Sequence, residues 1–298
     1  MTAPVFAILP SRAVLAVSGE DRKTFLQGLI SADTLKLTPS RAGYGGFLTA
    51  QGRFLHEFAL AEAGETILLD VEAARIDDLA KRLKLYKLRA KVTIDPRPDL
   101  EIAIAWGENV AAKFGLDGAP GSAKTEGEGA IFVDPRLAEL GVRAILPKGR
   151  IGDIATTAGL AMGDAGDYDA LRVKLGVPDG SRDLEIDRAL LLENGFDELA
   201  GVDWKKGCYI GQELTARMKY RGLVKKRLVP VAIDGPIPAP GTIVKLGEAE
   251  AGEMRSSAGA MGLALLRLEA MEKAAAEGTP LQAGDATLTP HKPAWANF

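Results

Sequence analysis

The spacing of hydrophobic residues predicts strands and helices that alternate irregularly along the first two thirds of the chain. Apolar and polar residues alternate around 44–49 and 54–60, with a Gly-containing turn between them, so we expect a β-hairpin there. Apolar residues recur at helical spacing at 19–31 and at 72–85. Further strands are predicted at 14–17, 66–70, 92–94, 100–106, 131–133 and 143–146, with a helix at 167–175. Strands that pair through hairpins among scattered helices are typical of the α+β class rather than of a doubly wound parallel sheet.

The last quarter of the chain changes to short hydrophobic segments separated by Gly and Pro turns. Strands are predicted at 228–233, 242–246, 252–256 and 259–266, with a helix at 268–276. Short strands with regular Gly and Pro turns are typical of a small β-barrel. We therefore divide the chain into residues 1–221, with two α+β subdomains, and a C-terminal β-barrel domain at 222–298. Residues 107–129 are rich in Gly, Ala and Glu, and we expect a loop there.

The composition is that of an ordinary globular protein and excludes several kinds of site. The 298 residues are 47% hydrophobic and 26% charged, and the net charge of −3 does not favour nucleic acid or a membrane surface. The single cysteine, Cys208, excludes an internal disulfide and a zinc or iron–sulfur site made only of this chain's thiolates, so no metal site is expected. The chain has no Gly-x-Gly-x-x-Gly fingerprint and no phosphate-binding loop.

The sequence also gives expectations about membranes and compartment. No segment approaches about 18 uninterrupted apolar residues, so we expect no transmembrane span and no membrane partner. Residues 1–10 lack the features of a signal or transit peptide. We therefore expect a cytoplasmic protein.

The local charge changes sign near residue 204. Seven carboxylates lie in 183–203, whereas 205–227 contains eight basic residues and one acid, Glu213, which gives a local net charge of +7. Two interpretations are open: a solvated surface that balances the acidic segment, or a surface that binds an anionic ligand or an acidic partner. Aromatic residues are sparse in the basic segment, so nucleic acid is not expected as a partner.

The basic segment begins with Lys-Lys-Gly-Cys-Tyr-Ile-Gly-Gln-Glu at 205–213. Gly207 and Gly211 permit tight backbone turns, and good helix formers follow Gly211, so we expect a loop that leads into a helix. Cys208 then lies near a helix N-terminus and beside lysines, and both favour thiolate over thiol. Two roles stay open for this cysteine: a reactive thiol, or a buried structural residue.

The run K-G-C-Y-I-G-Q-E at 206–213 resembles the signature of the YgfZ family of folate-binding proteins, which includes the mitochondrial iron–sulfur assembly factors. Blocks at 25–34, 47–53, 182–230 and 259–267 also resemble this family. The resemblance implies the aminomethyltransferase fold of the glycine cleavage system T protein: a ring-like arrangement of mixed α/β subdomains with a folate site in the central opening, plus a small C-terminal β-barrel. It also implies a role in maturing 4Fe–4S proteins with an A-type iron–sulfur scaffold protein and 4Fe–4S client proteins as partners.

The resemblance further suggests a cofactor and the residues that bind it. The expected cofactor is tetrahydrofolate, or a one-carbon or polyglutamyl derivative of it. A carboxylate can accept two hydrogen bonds from the N–H edge of a pterin, and Glu185 and Glu193 are the candidates for this role. The predicted folate contacts are Glu185, Glu193, Lys206, Gly207, Tyr209, Gln212 and Arg217. The basic residues expected to meet the glutamyl carboxylates of the folate tail are Lys205, Lys206, Arg217, Lys219 and Arg221. Cys208 is the candidate reactive thiol, and it has to share any iron with a partner chain or a small thiol.

A departure from the T protein leaves three functions open. Where that enzyme has a catalytic aspartate after the Gly turn of its hairpin, this chain has His56 and Glu57. The favoured function is a tetrahydrofolate-binding accessory factor in the assembly or repair of 4Fe–4S proteins. The alternatives are a folate-dependent one-carbon transferase of the aminomethyl type, and an interaction scaffold with a vestigial folate pocket. The sequence leaves open whether the protein turns over a substrate.

Overall fold

The computed structural model describes residues 3–298, which form two compact units built from segments that are distant in sequence. The first unit comprises the described residues up to Leu48, Leu55–Tyr168 and Leu199–Ile210; the second comprises Thr49–Phe54, Asp169–Glu198 and Gly211–Phe298. The predicted division between residues 221 and 222 stays a prediction, because these units interleave along the chain.

The strands and helices have the following bounds. The strands are β1 (Val5–Ile8), β2 (Arg12–Ser18), β3 (Gly43–Leu48), β4 (Phe54–Ala63), β5 (Thr66–Glu72), β6 (Thr93–Pro96), β7 (Leu100–Trp106), β8 (Ala123–Glu126), β9 (Gly129–Val133), β10 (Val142–Pro147), β11 (Ala161–Met162), β12 (Lys226–Asp234), β13 (Ile243–Leu246), β14 (Ala249–Ala258), β15 (Met261–Arg267), β16 (Leu281–Ala283) and β17 (Ala286–Pro290). The α-helices are α1 (Arg22–Gln27), α2 (Ile76–Tyr86), α3 (Val110–Lys113), α4 (Arg150–Thr157), α5 (Ala165–Leu175), α6 (Gly180–Asp183), α7 (Gln212–Tyr220) and α8 (Leu268–Glu277).

The first sheet of the first unit has the strand order β3-β4-β5-β2-β6 and contains the predicted hairpin. Every residue of β4 is buried, and α2 packs on the sheet through Leu79 and Leu83, which are both fully buried. Burial of such a leucine contributes about 1.5–3 kcal/mol to folding. Helix α1 is shorter than the predicted 19–31 because the following residues pair with β3: the Ser31 N–H donates to the Gly46 carbonyl at 2.9 Å. Tertiary pairing therefore overrides the helical pattern of this segment.

The second sheet of the first unit has the order β11-β1-β7-β10-β9-β8, in which β11 and β1 are parallel and the other pairs are antiparallel. The expectation of a loop at 107–129 is wrong, because this segment contains α3 and β8. Val110 and Phe114 bury their side chains against the sheet, and β8 pairs with β9. These contacts stabilise regular structure in a segment whose composition resembles that of a loop.

The second unit contains the predicted β-barrel, which is closed in the order β12-β15-β14-β13-β16-β17. Val229, Val231, Met254 and Leu266 fill its interior, and each is fully buried. Closure pairs every strand on both sides, which leaves no open edge. Strand β14 is longer than the predicted 252–256 and includes a register shift, which keeps it paired while the sheet curves.

In residues 3–298, none of the helices combines the length and the apolar character that crossing a membrane requires.

Candidate functional site

Residues 205–210 of the cysteine motif belong to a loop of the first unit, Leu199–Ile210, which we call the motif loop. Hydrogen bonds attach this loop to the end of α1 and the turn after it. Ser31 Oγ donates to the Gly201 carbonyl at 2.5 Å, and the Ile210 N–H donates to the Gly28 carbonyl at 3.2 Å. Gln27 Nε2 donates to the Lys206 carbonyl at 3.2 Å. Two blocks that are far apart in sequence therefore form one structural element.

Lys206 anchors the middle of the motif loop through hydrogen bonds to backbone carbonyl groups. Its Nζ donates to the carbonyl oxygens of Ile30 at 2.5 Å and Ala32 at 2.6 Å, and it lies 5.2 Å from the ring centre of the buried Tyr209. Burial disfavours the ammonium and lowers the pKa of Lys206 to about 8. The side chains of Lys206 and Tyr209 thus contact the protein itself. Their predicted contact with folate stays a prediction.

Cys208 is exposed between these two anchored residues. Gly207 has φ +91°, a value that favours glycine, and it turns the backbone so that Cys208 faces outward while Tyr209 faces inward. Exposure excludes the alternative of a buried structural cysteine. Among residues 3–298, no three His, Cys, Asp or Glu side chains cluster in a way that could hold a metal ion. Iron ligation by Cys208 therefore needs ligands from another molecule.

The motif loop forms one wall of a cleft of about 380 Å³ in the first unit, which we call the first cleft. Its polar lining is Asp33, Lys36, Arg41, Asp203 and Lys205, and its flatter walls are Tyr44, Trp204, Pro120 and Pro135. Lys36 forms ion pairs with Asp33, at 3.4 Å, and with Asp203. The hydrogen bond to Asp203 raises the pKa of Lys36. Burial opposes the charged form of Asp203, but hydrogen bonds from Lys36 and the Lys205 N–H hold its pKa below the ordinary value.

A buried ion pair supports the wall of the first cleft at Tyr44. The guanidinium of Arg136 lies 5.2 Å from the Tyr44 ring centre, and Asp134 accepts two hydrogen bonds from that guanidinium at 3.0 and 2.8 Å. Burial and the nearby Glu57 carboxylate raise the pKa of Tyr44 well above its ordinary value. Tyr44 is therefore a neutral phenol at physiological pH, held in a fixed position.

The two residues that follow the hairpin turn, His56 and Glu57, have partners inside the first unit. Glu57 Oε1 accepts a hydrogen bond from Arg12 Nη1 at 2.6 Å, and both side chains are almost fully buried. His56 Nε2 lies 2.9 Å from Asp78 Oδ2. Burial and Arg75 lower the pKa of His56 to about 4, although Asp78 acts in the opposite direction. Glu57 is thus occupied by a buried ion pair, and His56 is neutral.

A separate cleft of about 300 Å³ lies in the second unit, which we call the second cleft. Its charged lining residues are Arg53, Glu185, Arg188, Glu193, Lys226, Glu250, Glu253 and Arg255. Glu185 pairs with Arg188 at 2.6 Å, and 42% of its side chain is exposed. Glu193 is half-buried, and burial raises its pKa although Lys226, Arg53 and other cations act in the opposite direction. Among residues 3–298, no group donates a hydrogen bond to the Glu193 carboxylate.

Helix α7 carries the two remaining predicted contacts. Gly211 has φ +79°, and α7 begins directly after it at Gln212, which confirms the prediction of a loop that leads into a helix. Gln212 is half-buried, whereas Arg217 is exposed and pairs with Glu213 at 2.7 Å. The predicted folate contacts therefore divide between the units, with Lys206, Gly207 and Tyr209 in the first and Glu185, Glu193, Gln212 and Arg217 in the second.

Sequence reasoning missed several residues that line the clefts. Asp33 lies in the loop after α1, where it accepts hydrogen bonds from Gln27 Nε2 and the Leu35 N–H and pairs with Lys36. Asp33 lies within the 25–34 block and Trp204 lies beside the cysteine motif. These positions in the sequence could have marked both residues as candidates for the cleft lining. The sequence carries no such signal for Arg41.

Comparison with solved structures and family models identifies the fold class of this protein. Aminomethyltransferase T of the glycine cleavage system from Bartonella henselae superposes with a TM-score of 0.78 at 16% identity, covering 99% of this chain and 87% of that chain. The CAF17 C-terminal β-barrel domain matches residues 225–298. The fold is therefore the aminomethyltransferase fold with a C-terminal barrel.

Sequence relatives then define the family. Mouse mitochondrial iron–sulfur cluster assembly factor IBA57 is 36% identical over 294 residues, which cover 89% of this chain and 78% of the mouse protein. The human protein of the same name is 36% identical over 285 residues, which cover 87% of this chain and 76% of that protein. This chain belongs to the IBA57 family of iron–sulfur cluster assembly factors.

The relatives correct the predicted compartment. The mouse, human and Pyricularia oryzae proteins are all named mitochondrial, which contradicts the prediction of a cytoplasmic protein. That prediction rested on composition and on the first ten residues. An ordinary composition and a single thiol fit any reducing aqueous compartment, so these features do not distinguish the cytoplasm from the mitochondrial matrix.

Proposed function

We propose that this protein is a tetrahydrofolate-binding accessory factor in the assembly or repair of 4Fe–4S proteins. Membership of the IBA57 family supports the role in cluster assembly. The resemblance of the K-G-C-Y-I-G-Q-E motif to the YgfZ signature supports the folate part. The partners of this role are an A-type iron–sulfur scaffold protein and 4Fe–4S client proteins. The exposed Cys208 thiol can share iron with such a partner.

The Glu193 carboxylate is the observation that carries the assignment of folate. It is half-buried in the second cleft, its pKa is raised by burial, and no group among residues 3–298 is hydrogen-bonded to it. A partly buried carboxylate without donors is unfavourable by itself. The N–H edge of a pterin supplies two donors to such a carboxylate and relieves this cost. Glu185 is less suited, because Arg188 already pairs with it at 2.6 Å.

The buried Arg12–Glu57 pair weighs against aminomethyl transfer of the T protein type. A carboxylate that acts on a substrate has to reach it, and Glu57 is almost fully buried and bonded to Arg12 at 2.6 Å. Releasing it breaks a buried ion pair, although Arg12 keeps a second carboxylate partner, Asp70, at 2.6 Å. We therefore assign no one-carbon transfer step to this chain.

The test compares Glu193→Gln with Glu185→Gln in titrations with tetrahydrofolate. We expect Glu193→Gln to weaken binding at least about tenfold, or about 1.4 kcal/mol, because the amide replaces one acceptor by a donor and removes the charge. Glu185→Gln lines the same cleft and is the matched control; we expect it to change affinity less than about twofold, since exposed charges contribute little. Wild-type affinity in Glu193→Gln, with the fold unchanged by circular dichroism, would refute this assignment.

A further inference from the structure

Large hydrophobic side chains are exposed at the C-terminal end of α2. All six residues of 84–89 are exposed, and among them Leu85, Tyr86 and Leu88 are 70%, 42% and 89% exposed. Single exposed hydrophobic residues are ordinary on a protein surface, whereas several in one short segment indicate an interaction surface. We call residues 84–91 the α2 end segment.

Leu88 adopts an unfavourable backbone conformation and gains no burial from it. Its φ is +43°, in the left-handed region that a bulky side chain disfavours. The Ala90 N–H donates to the Lys87 carbonyl at 2.7 Å and closes the turn around Leu88. Because the Leu88 side chain is exposed, contacts among residues 3–298 do not offset this strain. Residues held in such conformations cluster at functional sites.

The α2 end segment is held in place at both ends. Leu83, directly before it, is fully buried in the core of the first unit. The Tyr86 ring packs edge-on against Phe47 with 6.1 Å between ring centres, and the Lys91 N–H donates to Asp21 Oδ2 at 2.7 Å. A partner therefore meets a preformed surface, which reduces the entropic cost of binding.

The surroundings of the exposed hydrophobic residues are strongly basic. Residues 79–94 contain six cations and no carboxylate, which gives a local net charge of +6. Two of the six, Arg82 and Lys91, form ion pairs. Among residues 3–298, the other four have no carboxylate partner: Lys81, Lys84, Lys87 and Arg89. The dipole of α2 favours a cation in the last turn of the helix, but Arg89 lies beyond that turn.

We propose that the α2 end segment docks an acidic segment of a partner protein. Apolar side chains of the partner bury Leu85 and Leu88, and its carboxylates pair with the cations of the segment. The net charge of −3 on the whole chain opposes adsorption on an extended anionic surface such as a membrane or a nucleic acid, whereas a short acidic segment meets only the local charge. This docking and the proposed folate site involve different residues, so each can exist without the other.

The experiment measures the fluorescence anisotropy of a labelled peptide of about 15 residues that carries leucines at helical spacing among glutamates. The peptide is titrated with the wild-type protein, with Leu88→Ser, and with a triple variant that carries Lys84→Gln, Lys87→Gln and Arg89→Gln. Met162→Ser is the control, because Met162 is 73% exposed in the same unit but lies outside the segment. We expect Leu88→Ser to weaken binding at least about tenfold, the triple variant about tenfold, and the control not at all.

Two further measurements separate the contributions of charge, apolar contact and strain. Raising the salt to 1 M shortens the Debye length to about 3 Å, which should remove the effect of the triple variant but not that of Leu88→Ser. Leu88→Gly removes the strain at positive φ, so we expect weaker peptide binding with a urea unfolding midpoint no lower than that of the wild-type protein. A lower midpoint would show that Leu88 is held by packing inside the protein and would contradict its role in docking.

Absence of peptide binding at low salt, or equal binding by Leu88→Ser and the wild-type protein, would overturn the docking surface. Vesicles of phosphatidylcholine and phosphatidylglycerol are tested in parallel. If the wild-type protein binds these vesicles but not the peptide, and the triple variant binds neither, the segment contacts a membrane surface and the assignment to an acidic protein partner is wrong.

Discussion

His56 is buried in its neutral form, which makes the first unit sensitive to acid. Burial and Arg75 lower the pKa of His56 to about 4 in the folded protein, whereas the unfolded value is about 6.5. As the pH falls from about 6.5 to 4, the unfolded state binds a proton that the folded state does not bind. The stabilisation present above pH 6.5 is therefore lost through this window, by up to about 3 kcal/mol.

We expect His56→Gln to show a smaller loss of unfolding free energy between pH 7 and pH 4.5 than the wild-type protein. Glutamine can keep a hydrogen bond to Asp78 but does not titrate. Urea unfolding at both pH values measures the difference, and the comparison between the two proteins cancels the carboxylates that titrate in the same range. Equal pH dependence in the two proteins would show that His56 is not responsible.

Lys206 stabilises the motif loop through two buried carbonyl groups. Lys206→Met removes the donors to the Ile30 and Ala32 oxygens and leaves both acceptors buried. We expect a loss of about 1–3 kcal/mol in unfolding free energy for each unsatisfied carbonyl. We also expect faster alkylation of Cys208, because the loop that presents it is released.

The neighbouring Lys205 provides the control for Lys206. Its side chain is exposed, so Lys205→Met should leave the unfolding free energy unchanged. If Lys206→Met is as stable as the wild-type protein and Cys208 is alkylated at the same rate, Lys206 does not anchor the loop.

At the scale of elements, the hairpin between β3 and β4 depends on the fit of its tip. Gly52 has φ +82°, and a Cβ added there would lie 2.7 Å from the Gly211 carbonyl oxygen and 2.8 Å from Leu214 Cβ. We expect Gly52→Ala to lose about 1–2 kcal/mol from the backbone conformation and about 1–3 kcal/mol more from crowding. Gly64, at the next turn, has φ +58° and open space around it. Gly64→Ala should therefore show the backbone loss alone.

Urea unfolding midpoints are measured for the two alanine variants. The difference between them reports the free energy lost to crowding at the hairpin tip. Similar midpoints would mean that the tip moves away from α7 at little cost. The contact between the hairpin turn and α7 joins two elements whose sequence blocks, around Gly52 and Gly211, are far apart in the chain.

At the scale of the whole molecule, the proposed role of the Cys208 thiol in cluster assembly can be tested with a serine variant. The side chain is exposed, so Cys208→Ser should fold normally and bind tetrahydrofolate with unchanged affinity. We expect this variant to fail to restore 4Fe–4S enzyme activity in a strain that lacks the protein, because a serine hydroxyl does not replace a thiolate as an iron ligand. Melting temperature and folate affinity are the controls. Full restoration of activity by Cys208→Ser would limit the motif to a structural role.

The sequence by itself determined the parts of this protein that rest on local patterns. The hairpin, helices α2 and α7, and four of the six barrel strands, β12 to β15, were predicted because apolar periodicity and Gly turns act within a few residues. The K-G-C-Y-I-G-Q-E motif indicated the family for the same reason, since it is continuous in the chain. Local patterns failed at α1 and at α3 and β8, where contacts with distant strands decided the structure.

The tertiary structure alone decided which charged side chains are occupied and which are available. Lys36 and Asp203 are paired although 167 positions separate them, and Lys206 is bonded to carbonyls more than 170 positions away. No local pattern encodes such partners, and so the sequence could not show that Lys206 is occupied, or that within residues 3–298 no group donates a hydrogen bond to the half-buried Glu193 carboxylate. The physical reason is that burial and pairing, which set the pKa and availability of each group, arise from residues brought together only when the chain folds.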